Sequence, residues 1–345
     1  MKFYTSVLPY RGRLLVRGVD KDGTQKKYRI NYKPSLFVPV KKETKYKTLD
    51  GRYVEKIKFD SMPEATKWVN EYKNVTNFEY FGNTRHQYPF IAEEFEGKID
   101  WDMNQIKLLS IDIECESENG FPSPEKADQP LICITVKDHT SKKIIVFGMG
   151  NFVNDREDVQ YIDCVTETGL VETFTKFWVE YNPDIITGWN VKFFDIPYLM
   201  NRFRYLMGDD WLNQFSPWGV VEQRSAAVLF ASREQQVWNI MGVDTLDYLD
   251  LYRKFTFVRR ESYKLDYIGE VELGQNKLEN PYDTFKEFYQ NDYQRFVEYN
   301  IQDVELVDKL EDKLQLIALH LTMAYEAKVN YQDVFGQVRI WDCII

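Results

Sequence analysis

Two carboxylates stand one residue apart inside an apolar stretch, Leu108-Leu109-Ser110-Ile111-Asp112-Ile113-Glu114. The stretch reads as a β-strand, and strand side chains alternate between two faces. Asp112 and Glu114 therefore share one face, and Ile111 and Ile113 share the other. Like charges side by side on a strand destabilise it. A cation between them relieves the repulsion. The obvious candidate is a pair of divalent metal ions, and two-metal sites perform phosphodiester chemistry. Two more carboxylates lie in distinctive contexts. Asp195 closes Thr187-Gly188-Trp189-Asn190-Val191-Lys192-Phe193-Phe194-Asp195, where a buried strand leaves through Gly188 and a helix begins. Ligands bind at strand ends in open α/β sheets, but taken alone Asp195 reads first as a helix cap. Asp303 follows Tyr299 by four residues in Glu298-Tyr299-Asn300-Ile301-Gln302-Asp303-Val304, so phenol and carboxylate share a helix face. Taken alone, that pair reads first as a plain surface or an ordinary hydrogen bond.

The elements that must position these groups are legible from periodicity and turn chemistry. Leu131–Lys137 and Ile144–Gly148 read as strands joined by Asp138-His139-Thr140-Ser141, which predicts three consecutive antiparallel strands with the Asp112 strand. Leu170, Val171, Phe174, Phe177 and Trp178 mark an amphipathic helix. Residues 184–188 form a short buried strand, and a helix runs from about Asp195 to Met207. Ala226–Phe230 and Gln235–Ile240 flank a predicted hairpin turn, and one or two helices span Asn291 to about Ala327. Such an order predicts an α/β fold of the ribonuclease-H-like kind, a mixed sheet with helices on both faces, over residues 104–316. Ahead of it, Leu14–Val19 and Lys27–Ile30 flank the turn Asp20-Lys21-Asp22-Gly23, and Tyr32–Val38 is extended. Ser61-Met62-Pro63-Glu64 is a capping box before a helix bearing Ala65, Trp68, Val69 and Tyr72. Residues 1–103 thus form a smaller α+β domain, and the apolar tail 317–345 is expected to join it.

The 345 residues suggest two domains, and 44% apolar residues with 16% aromatic residues suffice for large cores. No apolar run approaches the roughly 20 residues of a membrane span, and the start, Met1-Lys2-Phe3-Tyr4, lacks the apolar core of a signal peptide. The scattered Cys115, Cys133, Cys164 and Cys343 argue against a zinc site or a disulfide framework and fit a reducing cytosol. The net charge of −10 is uneven: residues 1–100 hold 20 Lys and Arg against 13 acidic residues, the remainder 24 against 41. The first hundred residues can present a phosphate-binding surface or simply a solvated one. The rest needs metals, placed cations and aromatic stacking to hold nucleic acid.

The three carboxylate contexts in this order resemble the exonuclease motifs of family B DNA polymerases, those of T-even-type phages above all. Asp112-x-Glu114, Asn190-x-x-x-Phe194-Asp195 and Tyr299-x-x-x-Asp303 match the three motifs, the last in its tyrosine form. Tyr32-Lys33-Pro34-Ser35-Leu36-Phe37, Gly120-Phe121-Pro122, Ser262–Ile268 and Ile340–Ile345 extend the resemblance over essentially the whole chain. The resemblance implies a proofreading 3′→5′ exonuclease in which Asp112, Glu114, Asp195 and Asp303 hold two Mg²⁺ or Mn²⁺ ions, consistent with the preference of hard cations for carboxylate oxygen. It implies that Tyr299 orients the attacking water or the scissile phosphate, since an unperturbed tyrosine titrates too high, near 10, for a base. None of His86, His139 and His320 occupies the general-base slot of the histidine variant. Lys277 corresponds to a family lysine near the scissile phosphate, or else is a solvated loop lysine. Phe121 is an ordinary core residue or, as the resemblance implies, a wedge between bases. Asn190 and Phe194 are implied to contact nucleic acid, and the hairpin at 226–240 resembles the element that helps separate primer from template.

No Asp-Thr-Asp-like or Ser-Leu-Tyr-Pro-Ser-like palm motif is present. The chain is therefore expected not to synthesise DNA itself, as a fragment or as one half of a polymerase encoded in two pieces. The implied partners are single-stranded or primer-template DNA and the remaining polymerase part, in cis or in trans, in the cytoplasm of an infected bacterial host. The rival expectation is a nucleic-acid-binding and assembly half without its own activity, with RNA bound through the basic first domain. A further rival is a free-standing exonuclease acting on RNA.

Overall fold

The computed structural model describes residues 1–117, 120–227, 234–278 and 280–344. The chain divides into two units, Met1–Asp102 with Thr322–Ile345, and Met103–Leu321.

In the first unit, β1 (Phe3–Tyr10), β2 (Arg13–Val19) and β3 (Gln25–Ile30) form an antiparallel sheet. The predicted turn between β2 and β3 is closed by Thr24 N–H donating to Asp22 at 2.9 Å, a local side-chain bond typical of turn aspartates. A second sheet has the order β4 (Ser35–Pro39), β6 (Tyr53–Lys58), β5 (Tyr46–Lys47). Helix α1 (Met62–Tyr72) starts where the cap signal lies. Ser61 accepts from Glu64 N–H, but the reciprocal Glu64 bond goes to Asp60 N–H rather than to Ser61, so only half of the capping box forms. Helix α2 (Gln87–Glu94) follows. The tail residues of this unit pack on β1: Tyr4 donates to Val329 O at 2.6 Å, and the Asn330 amide brackets Val7 with two bonds of 2.8 Å.

The second unit is built on a six-stranded mixed sheet. Its strands are β7 (Leu108–Cys115), β8 (Leu131–Asp138), β9 (Ile144–Gly148), β10 (Val159–Asp163), β11 (Ile185–Gly188) and, after a hairpin of β12 (Val221–Ala227) and β13 (Glu234–Ile240), β14 (Asp244–Asp247). The order is β10-β9-β8-β7-β11-β14. β8 runs antiparallel to both of its neighbours, β7 and β9, as expected, whereas β10, β11 and β14 each lie parallel to a neighbour. The reading of the sequence did not anticipate β10 and β14. Both are short and part polar, so neither shows a period. β12 and β13 pair as a hairpin, but β12 starts at Val221, five residues before the predicted strand, and residues 228–233, which hold most of that strand and the predicted turn, lie outside the described residues.

Helices cover both faces, as expected of a ribonuclease-H-like fold. On one face, Ile111 and Ile113 of β7 pack against Phe174 and Trp178 of α3 (Glu167–Tyr181) and Leu199 and Phe203 of α4 (Asp195–Met207). On the other, Ile132 and Val146 pack against a long helix through Phe296, Val297 and Ile301. The alternation of β7 therefore sends Asp112 and Glu114 toward that second face. After α4 in the chain come α5 (Asp209–Leu212), α6 (Tyr248–Phe255), α7 (Leu265–Leu273) and α8 (Phe285–Asn291), then the long α9 (Tyr293–Leu314). α9 ends at Gln315 in a left-handed conformation and α10 (Leu316–Ala327) begins, which resolves the predicted one or two helices as two. A final helix, α11 (Gln337–Ile344), exposes Val338, Trp341 and Ile344. Among the described residues no helix is long and apolar enough to cross a membrane, and all four cysteines are free thiols.

Candidate active site

Three elements of the second unit converge on one cavity of about 870 Å³. The C-terminal part of β7 contributes Asp112 and Glu114, the turn after β11 contributes Asn190, Phe194 and Asp195, and α9 contributes Tyr299 and Asp303. Phe121 and Lys277 line the same cavity, so the structure brings together all nine residues singled out from the sequence.

β11 lies parallel to β7, with Ile185 opposite Leu108, so both strands end at the same edge of the sheet. Gly188 is where the chain leaves. A Cβ there would lie 2.4 Å from Ile111 O, so only glycine lets β11 approach β7 this closely. Asp195 is the first helical residue of α4, not its cap: Phe194 occupies the cap position without a side-chain cap bond. Asp195 Oδ1 instead accepts from Ile113 N–H at 3.1 Å, which ties the start of α4 to the Asp112 strand.

Oxygens of Asp112, Glu114 and Asp303 all lie within 4.8 Å of one another. Asp195 stands outside this set. Asp303 is buried, and its Oδ1 has no hydrogen-bond partner among the described residues. Its other oxygen accepts from Lys277 Nζ, which also lies 3.3 Å from the Tyr299 hydroxyl and over the Tyr299 ring. Lys277 is thus not a solvated loop lysine. Its backbone N–H is fixed by Asp266 Oδ1 at 2.8 Å.

Crowding and burial act together on these groups. Withdrawal from water pushes Glu114 up to about 8, with the Asp303 charge adding to the rise and Lys277 opposing it. Burial likewise pushes Asp195 up to about 7, against the Ile113 N–H that favours its charged form. Asp112 is raised by burial and then by the Asp303, Asp195 and Glu114 charges. Asp303 is raised by burial, with Lys277 opposing. One ammonium does not balance four carboxylates. The cluster is short of positive charge, the condition that a bound cation relieves. The Tyr299 phenol is pushed up to about 12 by burial, with Lys277 pulling it down, so it stays protonated at neutral pH.

Phe121 is 86% exposed, yet its ring lies 5.2 Å from that of Phe194. It is therefore not a core residue. The reading of the sequence missed Asn300. This fully buried residue donates its side-chain amide to Asp112 Oδ2 at 2.5 Å and accepts from Cys133 Sγ at 3.4 Å. Its signal was available, because Asn300 sits three residues before Asp303 on the same helix face, an uncommon place for a buried asparagine.

The mixed sheet carries a carboxylate cluster of the kind that holds divalent cations. The family model for the exonuclease domain of DNA polymerase family B matches residues 65–268, and the chain belongs to that family. The match takes in Asp112, Glu114 and Asp195 and stops short of Lys277, Tyr299 and Asp303. The whole chain is similar to the DNA-directed DNA polymerase of Escherichia phage RB69, 31% identical over 373 residues, and to that of Enterobacteria phage T4, 29% identical over 370. A stretch covering 64% of the chain is 29% identical to the DNA polymerase delta catalytic subunit of Caenorhabditis elegans. The chain spans 41% and 40% of the length of the two phage relatives.

Proposed function

We propose that this chain is the metal-dependent 3′→5′ proofreading exonuclease part of a phage-type family B DNA polymerase. It would hydrolyse the 3′-terminal phosphodiester of single-stranded or frayed DNA and release a nucleoside 5′-monophosphate. The observation that carries the reading is the triad of Asp112, Glu114 and Asp303 oxygens within 4.8 Å, with Asp303 Oδ1 buried and unpartnered. An all-carboxylate donor set with an orphaned oxygen fits a hard divalent cation. Asp112, Glu114 and Asp303, with Asp195 completing the set, would hold two Mg²⁺ or Mn²⁺ ions. Such ions, when bound, supply charge neutralisation at the phosphate and a water of lowered pKa.

The chain's own groups do the rest. Tyr299, protonated and hydrogen-bonded near Lys277, orients the attacking water or the scissile phosphate through its hydroxyl. Lys277 places a positive charge beside Asp303, where the developing negative charge of the phosphate would lie. The Phe121 and Phe194 rings offer a platform on which unpaired bases stack, and Asn190 lines the cavity wall beside them. Substrate choice follows from unpairing, since a mismatched end leaves the duplex at lower cost and reaches the cavity more often. The remaining polymerase part and primer-template DNA are the proposed partners.

A 5′-labelled single-stranded oligonucleotide tests the reading. Parent protein with Mg²⁺ should give a ladder of one-nucleotide steps from the 3′ end. EDTA, or the double variant Asp112→Ala with Glu114→Ala, should abolish it. A ladder that persists without metal or without both carboxylates would overturn the assignment.

A further inference from the structure

Asp247 lies at the end of β14, 52 residues beyond Asp195, in none of the three motifs. In the parallel pairing of β14 with β11 it stands opposite Gly188, where the chain turns toward the cavity. The side chain is 2% exposed. One oxygen accepts from Asn190 N–H at 3.0 Å and the other from Lys192 N–H at 3.0 Å. The first also accepts from Leu249 N–H at 2.9 Å, which caps α6. A helix cap explains only that third bond. The other two fasten the turn that carries Asn190, Phe194 and Asp195.

That turn needs fastening. Asn190 adopts φ +67°, a left-handed conformation that residues other than glycine take up at some cost. Its carbonyl accepts from Phe193 N–H at 3.2 Å and Phe194 N–H at 3.0 Å, closing the turn directly ahead of Asp195. A second contact from α6 supports the arrangement, with Lys192 Nζ 3.5 Å from Asp250. The backbone amides of Asn190 and Lys192 thus donate to Asp247, which does not line the cavity, and anchor the segment that leads to Asp195.

We propose that Asp247 is a positioning residue: by holding the Asn190 and Lys192 amides it sets where Asp195 and Phe194 stand in the cavity. This deepens the proposed nuclease reading and rests on it for the role of Asp195. Asp247 acts only through the turn, as outer carboxylates do when they orient the groups that touch a metal.

Two variants separate capping from positioning. Asp247→Ser keeps a cap for α6 but is too short and too poor in oxygens to hold both amides. Asp247→Asn keeps the shape but sets an NH₂ donor against one N–H. The first readout is hydrogen exchange of the 188–195 segment. Both variants should lose protection there while β7 and β8 keep theirs. The second is Mn²⁺ affinity by calorimetry, which should fall about 10–100-fold. The third is single-strand cleavage, in which kcat should fall while KM stays within about threefold, with partial recovery at high Mn²⁺. Unchanged exchange in 188–195, or a lowered Tm with Mn²⁺ affinity and kcat unchanged, would overturn the proposal. If the parent chain cleaves no single strand, the nuclease reading fails by itself, and the exchange measurement still decides the role of Asp247.

Discussion

Asn300 holds Asp112: its amide nitrogen lies 2.5 Å from Asp112 Oδ2, from a helix packed across the face of the strand that carries the carboxylate. The bond fixes one oxygen of Asp112, whose carboxylate stands in the cluster with Glu114 and Asp303. Asn300→Ala should therefore lower the cleavage rate about 10–100-fold, as loss of a group that orients a ligand does. It should also cost about 1–3 kcal/mol, because a buried acceptor loses its partner. Single-turnover kinetics and urea unfolding measure the two effects separately.

The excess of carboxylates predicts an inverted response to charge removal. In EDTA, Asp112→Asn should unfold at a higher temperature than the parent, because it removes a charge that burial, and then the neighbouring carboxylates, disfavour. Adding Mn²⁺ should raise the parent's unfolding temperature by linkage and raise the variant's less. Thermal scans of both proteins in EDTA and in Mn²⁺ check this. A parent no less stable than the variant in EDTA would refute the account.

Tyr299 has a hydroxyl held 3.3 Å from Lys277 and a pKa pushed up to about 12. Tyr299→Phe should slow cleavage at least about tenfold and leave the shape of the pH–rate profile between pH 6 and 10 unchanged, pH values on the order of those where a base would show itself. Loss in the variant of a rise in rate with pH that the parent shows would instead make Tyr299 a general base.

Phe121 projects into solvent, 86% exposed. Phe121→Ala should leave stability within about 0.5 kcal/mol, as for other surface changes. It should weaken single-strand binding by about 1–3 kcal/mol, the worth of one stacked base. Fluorescence anisotropy in Ca²⁺ reads the binding without turnover.

Acid sensitivity should come from Asp308 on α9. Burial pushes this carboxyl up, but hydrogen bonds from His139, Lys142 and Lys137 outweigh it, so its folded pKa lies below the usual range. The unfolded carboxyl takes its proton near pH 4, to an order of magnitude in affinity. Asp308 therefore contributes its full stabilisation above about pH 5 and loses it as pH falls toward the folded value. Asp308→Asn should cost about 3 kcal/mol at neutral pH, the low end for breaking a buried pair because Lys142 reaches solvent. The variant should also show a flatter acid limb in denaturant titrations between pH 5 and 3, values on the order of the unfolded carboxyl pKa.

Local rules determined much of this protein from the sequence. The strand period put Asp112 and Glu114 on one face, and the helix period put Tyr299 and Asp303 on one face. Turn and cap chemistry located the first hairpin and α1, because those signals act over a few residues. Tertiary packing decided what depends on partners distant in sequence. Whether Asp195 caps its helix or binds elsewhere was settled by Ile113, 82 residues away. Whether Lys277 is solvated was settled by Asp303, 26 residues away. Spacing to Asp303 could nominate Asn300 but not name Asp112 as its partner, and Asp247 behind the Asn190 turn carries no local signature, since only the packing of α9 on β7 and the parallel register of β11 and β14 make these groups neighbours. Spacing can nominate the groups that do chemistry. The charges, hydrogen bonds and orphaned oxygen that set their reactivity exist only once the sheet has closed around them.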